Sequence, residues 1–221
     1  MENAYSFALG AVVISLSVIT TWGIMLVLTL IAWLSTRSLK LFPGARQTVF
    51  ESIVTAIDEA ILAVAPEHGR QIMPFIASLW IFLTIANLIG LIPGLHSPTR
   101  DLSVTAALAV LVFFSVHWFG IKTQGLKRYL HHYLTPSPIL LPFHIISEFT
   151  RTLALAIRLF GNMMSLEMAA MLILLVAGFL APIPILMLHI IEALVQAYIF
   201  GMLALIYLAG AIQSQQLNPQ E

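Results

Sequence analysis

Five apolar runs, each long enough to cross a lipid bilayer, set what this chain can fold into. A helix needs about 20 apolar residues, at 1.5 Å each, to cross roughly 30 Å of hydrocarbon. Runs that meet this length lie at about residues 7–35, 72–92, 102–121, 142–176 and 183–212. Lipid offers no hydrogen-bond partners, so each backbone polar group must be satisfied internally, which predicts helices. Composition agrees, since 60% of the 221 residues are hydrophobic and only 9% charged, against roughly 25% charged in soluble domains. The expected fold is an all-α integral membrane protein, with residues 1–221 forming a single membrane domain. The first run lacks the positive flank and cleavage site of a signal peptide and is too long for one, so it reads as a retained helix.

Residues 48–65 form a different kind of segment. Glu51, Asp58 and Glu59 lie among Val49, Phe50, Ile53, Val54, Ile57, Ile61 and Leu62. That pattern predicts an amphipathic helix lying at the membrane interface rather than a sixth span. Residues 178–184 (Gly-Phe-Leu-Ala-Pro-Ile-Pro) read as the turn between the last two spans.

Basic residues orient the spans. Arg37, Lys40, Arg46 and Arg70 fall between the first and second, and Lys122, Lys127 and Arg128 between the third and fourth. The other side offers only Arg100, next to Asp101. The positive-inside rule then puts the N-terminus outside and the C-terminus in the cytoplasm. Ten basic and ten acidic residues cancel, which excludes a nucleic-acid-binding surface. There are no cysteines and no metal-ligand spacing, so no metal or other cofactor is expected. His131 and His132, beside Lys127 and Arg128, read as a solvated cytoplasmic loop.

Arg158 stands out against this background, because it lies inside the fourth apolar run. A guanidinium near the bilayer centre costs about 2.5–3.5 kcal/mol on the mildest insertion scale. Loss of its proton offers no escape, since its pKa stays above about 12. A fixed charge at that depth marks a functional site by default. Arg151 lies seven residues earlier, close to two turns, and Asn162 four residues later, so all three share a side of the helix. Glu148, one turn before Arg151, is placed to pair with it. In the last span His189, Glu192 and Gln196 recur at i, i+3 and i+7 as a single polar stripe.

Depth can be compared because the last two spans run antiparallel. Glu167 lies nine residues beyond Arg158, about 13 Å toward the outside. His189 lies seven residues before Gln196, about 10 Å toward the outside. If Gln196 is level with Arg158, Glu167 and His189 also meet, and the fourth span must then tilt steeply. Glu167 points about half a turn away from Arg158. Polar groups on different faces and at different depths suit two separate aqueous pockets, because one continuous pore would leak. Simpler roles are available too: Arg151 near the cytoplasmic end can snorkel, Glu148 can serve as its partner alone, and His189 can be a satisfied buried histidine.

The segment Arg158-Leu159-Phe160-Gly161-Asn162-Met163 resembles the signature of subunit a, the membrane stator of rotary F-type ATP synthases. Asn87-Leu88-Ile89-Gly90-Leu91-Ile92-Pro93-Gly94 is similar to the end of that family's second span. Ser97-Pro98-Thr99 with Asp101-Leu102-Ser103-Val104-Thr105 resembles its following loop, and Gln196-Ala197-Tyr198-Ile199-Phe200 its last-helix motif. The matching segments run from about Glu51 to the C-terminus. Three positions depart from the usual pattern: Ser147-Glu148 where many members have two acids, Thr152 where many have proline, and Glu192 as an additional acid.

The resemblance implies a stator in which two offset half-channels and an essential arginine couple H+ or Na+ flow to rotation of a ring of c subunits. Arg158 would face the ring, with Asn162, Glu167, His189 and Gln196 around the ion path. Glu148 and Arg151 lead into the arginine motif. Glu167, His189 and Glu192 are expected to line the outer half-channel and Glu148 the inner one. Expected partners are the c ring, the peripheral-stalk b subunits and the rest of the synthase. The short N-terminal stretch leans toward a bacterial-type subunit in the plasma (inner) membrane. The chain has no P-loop, so nucleotide chemistry belongs elsewhere in such a complex. The competing class is a self-contained proton-coupled secondary transporter with Arg158 binding an anion. The lack of an internal repeat and an odd count of five spans weigh against it.

Overall fold

A computed structural model describes residues 6–9, 12–37, 44–92, 95–126, 139, 141–177 and 183–213. Among these are six α-helices: α1 (Leu16–Thr36), α2 (Ala45–Val64), α3 (Gly69–Leu88), α4 (Leu102–Gln124), α5 (Leu141–Ala177) and α6 (Ile183–Gln213). Five of them, all but α2, are long and apolar enough to cross a membrane. Two short 3₁₀ turns, Ile89–Leu91 and Pro98–Arg100, bridge α3 to α4.

The first span is shorter than its apolar run. Residues Ser6–Leu9 (β1) and Val12–Ser15 (β2) pair as a small antiparallel ribbon, with Ser6 opposite Ser15. Helix α1 begins only at Leu16, where the Ser15 hydroxyl accepts a hydrogen bond from the Ser17 N–H at 3.4 Å. The physical cause is local. Val12, Val13 and Ile14 are β-branched and stiff at χ1, which favours the extended state, and Ser15 is a strong N-cap. Hydropathy alone registers neither preference.

The remaining helices start and stop as their sequences direct. Asp101 caps α4, its side chain accepting from the Ser103 N–H at 3.0 Å and from the Ser103 hydroxyl at 2.8 Å. Burial pushes the Asp101 carboxyl up. Hydrogen bonds from Ser103, together with those from Ser17 and Ser15, outweigh this and hold it below its ordinary value. Helix α4 closes at Gly125, whose φ of +81° suits a residue without a Cβ.

Helices α3, α4, α5 and α6 make the core. Ile72, Ile76 and Leu83 of α3 meet Ala109 and Val112 of α4, Leu155, Leu159 and Met163 of α5, and Phe200, Leu205 and Leu208 of α6. Helix α2 packs across α3 and α6 and buries only Ile61 of its own residues. That fits an interfacial helix, while Val49, Phe50, Ile53 and Val54 remain exposed. Helix α1 leans on α3 and buries only Ile24. Lys40, Lys127, Arg128, His131, His132 and the connection at 178–182 lie outside the described residues.

Small residues let α3 and α6 approach. A Cβ on Gly201 would overlap the Trp80 indole, which stacks on Tyr198 with ring centroids 5.9 Å apart and donates to the Tyr198 carbonyl at 3.3 Å. A second tie lies nearer the loop end. Asn87 Nδ2 donates to the Ala193 carbonyl at 3.1 Å, and Thr99 donates to Asn87 Oδ1 at 2.8 Å. The Ser97 hydroxyl lies 2.6 Å from that of Thr99 and donates to the Ala86 carbonyl at 2.7 Å. All three side chains are buried, so the chain of bonds fixes the 95–100 segment against α6.

Candidate functional site

The pairing of α5 with α6 sets the depth of every polar group. Asn162 Nδ2 donates to Gln196 Oε1 at 2.6 Å, and the Arg151 guanidinium lies over the Tyr207 ring at 4.6 Å. In both pairs the two residues are equally far from position 179, so the helices run without relative slip. Gln196 is therefore level with Asn162, one turn nearer the connection than the expected Arg158. This removes most of the mismatch that the expected level required. A tilt still follows from length, because the 37 residues of α5 extend about 55 Å against about 30 Å of hydrocarbon.

Arg158 sits on the outer face of α5, exposed, with Ile157, Met164 and Met168 exposed around it. It has no hydrogen-bond or ionic partner among the described residues. Its neighbour Leu159 is fully buried, so the core stripe Leu155–Leu159–Met163 turns Arg158 outward. Gly161, one turn on, has open space where a Cβ would lie. Nothing among the described residues requires glycine there. A fixed cation thus stands exposed on α5 with Ile157, Met164 and Met168 around it.

Glu167 and His189 lie about two residues apart in depth, 12 and 10 residues from position 179, and no hydrogen bond or ion pair joins them among the described residues. The Glu167 carboxylate instead accepts from Arg100, on the turn before α4, and His96 Nδ1 lies 3.4 Å away. A cleft of about 370 Å³ opens at this pair, lined by Ser17, Arg100, Asp101, Phe160, Met164 and Glu167 among others. His189 is buried at 6% exposure and Gln196 at 1%. His189 Nε2 and Gln196 Nε2 have no hydrogen-bond partner among the described residues. Buried polar atoms of this kind mark places where water or an ion belongs. Glu192 is half-buried on the same helix, with no ion pair among the described residues.

A second group lies toward the other end of α5. Glu148 Oε2 lies 3.1 Å from His117 Nε2 of α4, while Arg151 has turned to Tyr207 rather than to Glu148. A cavity of about 20 Å³ sits among His117, Glu148, Arg151, Thr152 and Tyr207. Glu148 and Glu167 are 19 residues apart on one helix, about 28 Å along its axis. Two polar regions at opposite depths thus flank Arg158.

His96, Arg100, His117 and Tyr207 were absent from the residues selected by sequence. His117 carried the usual signal, an ionisable side chain inside an apolar run. Arg100 entered the reading only as an orientation charge. Its link to Glu167 spans 67 residues and needed the fold.

The chain matches the profile of the family described as ATP synthase A chain over residues 18–209. It is 65% identical to ATP synthase subunit a 2 of Pelobacter propionicus over 217 residues, covering 97% of this chain and 95% of that protein. It is 64% identical to ATP synthase subunit a 1 of Hahella chejuensis over 211 residues, covering 96% and 90%. It is 56% identical to ATP synthase subunit a of Legionella pneumophila over 217 residues, covering 98% and 94%.

Proposed function

Because the chain belongs to the ATP synthase A chain family, we propose that it is the stator of the membrane sector of a rotary F-type ATP synthase, guiding H+ or Na+ past a turning ring of c subunits. It is a multi-pass membrane protein that works within the ATP synthase complex. The ring faces the outer side of the α5–α6 pair, and the b subunits hold the stator against the ring's torque. The complex sits in the bacterial inner membrane, N-terminus outside. The transporter reading finds no support in the relatives.

The observation that carries this reading is the exposed Arg158, without a partner among the described residues, between two separate polar regions. A ring carboxyl about 4 Å from Arg158 gains on the order of 4 kcal/mol at an effective dielectric near 20. At 1.36 kcal/mol per factor of ten, this favours the ionised carboxyl roughly a thousandfold. A carboxyl arriving from lipid must therefore release its ion before passing Arg158 and take up another afterwards. Release and loading use different polar regions, so net flow requires rotation. The Glu167 cleft, with Asn162, His189, Glu192 and Gln196 along α5 and α6, serves the outer side. Glu148 and Arg151 serve the inner side.

The test is ATP-driven ion pumping by the reconstituted complex carrying Arg158→Lys or Arg158→Ala. Lysine can be neutralised by burial, whereas arginine cannot. Both variants should assemble and fail to pump. Near-normal pumping in either one would overturn the proposal.

A further inference from the structure

The inner polar region contains a residue that the family resemblance did not supply, His117. Its Nδ1 lies 2.9 Å from the Phe113 carbonyl, which can only accept, so Nδ1 carries a hydrogen. Its other nitrogen, Nε2, lies 3.1 Å from Glu148 Oε2. Two bare lone pairs do not hold that distance, so one proton must lie between them. It resides either on Nε2, as imidazolium facing carboxylate, or on the carboxyl facing neutral imidazole. Both forms contain one shared proton and the same total charge.

The surroundings suit transfer of that proton. The adjoining cavity of about 20 Å³ exceeds the roughly 10–15 Å³ that one water needs. The charged and titratable groups at its walls are His117 of α4, Glu148 and Arg151 of α5, and Tyr207 of α6. The Thr152 hydroxyl is committed to the Glu148 carbonyl at 2.9 Å. Arg151 is held over Tyr207, which keeps its guanidinium at the cavity wall.

We infer that His117 and Glu148 form a proton-holding pair on the inner side of the ion path, exchanging their one proton with a water in the adjoining cavity. The inference rests on the stator reading and adds an ion-path residue to it. The pair gives its proton to water on one side and regains one from the other, so one proton enters for each that leaves. Losing the proton without replacement leaves neutral imidazole facing carboxylate, and the contact opens.

The test compares complexes carrying His117→Gln, Glu148→Gln and the exchange of both residues (His117→Glu with Glu148→His). A glutamine at 117 can still donate to Glu148 but cannot pass a proton. ATP-driven pumping should fall roughly 100-fold in His117→Gln, the low end for a positioned proton-transfer group. Its pH profile should also lose a titration present in wild type. The exchanged pair restores one shared proton and should recover both rate and titration. Wild-type rate and pH profile in His117→Gln would overturn the inference. So would equal slowing at every pH in His117→Gln and Glu148→Gln, which marks a structural bond only. If His117→Gln fails to assemble, an exchanged pair that assembles but pumps without the titration overturns it. Arg158→Ala in the same series reports on the stator reading alone: normal pumping there defeats that reading whatever His117 does.

Discussion

At the scale of single residues, Arg158 turns outward as an exposed fixed charge and Glu167 is held by an ion pair in a cleft. Arg158 faces away from the core without a partner among the described residues, while Glu167 is tied to Arg100 and lies near His96. A carboxylate held in an aqueous cleft can pass ions without opening a path past Arg158. Glu167→Gln should therefore slow ATP-driven pumping while leaving passive ion leak at the wild-type level; a rise in leak, read by dye quenching in vesicles, would remove Glu167 from the outer path. Glu192 has no ion pair among the described residues, and Glu192→Gln should slow pumping less than Glu167→Gln in the same assay. Asn162 and Glu167 were legible as positions on α5. Their partners Gln196 and Arg100 were not paired correctly from sequence, because a one-turn shift between helices is invisible to spacing within either.

At the scale of elements, close packing fixes the frame that holds these groups. Gly201 admits the Trp80 indole against α6, and a methyl there would displace the ring from its stack on Tyr198. Gly201→Ala should cost about 1–3 kcal/mol, as overpacking of cores does, and lower the thermal stability of the purified complex. The start of α4 depends on Asp101, whose folded-state acidity is increased by its hydrogen bonds. A lowered folded value contributes stability above the ordinary carboxylate range and loses it as pH falls through the folded value. Asp101→Ala should destabilise by about 1 kcal/mol at neutral pH, and the difference from wild type should shrink on acidification. A difference independent of pH would assign the loss to something other than the carboxylate. The β-ribbon before α1 was not legible from hydropathy, since Val, Ile and Phe satisfy a strand and a membrane helix equally well.

At the scale of the whole molecule, orientation and assembly can be tested directly because the chain has no cysteine. Leu95 and Lys122 are both exposed, at opposite ends of the region spanned by α4. A membrane-impermeant maleimide on intact cells should label Leu95→Cys and spare Lys122→Cys, and the opposite pattern would invert the proposed topology. The sequence by itself determined the membrane class, the five helices able to span it, the amphipathic helix α2 and the isolated cation Arg158. Hydrophobic length and the cost of buried charge are local properties, written residue by residue. Only the tertiary structure decided that Gln196 meets Asn162, that Arg100 holds Glu167, and that His117 rather than Arg151 faces Glu148. Those contacts depend on how helices slide and rotate against one another. Core packing of side chains far apart in the chain sets that geometry, and no periodicity within one helix encodes it.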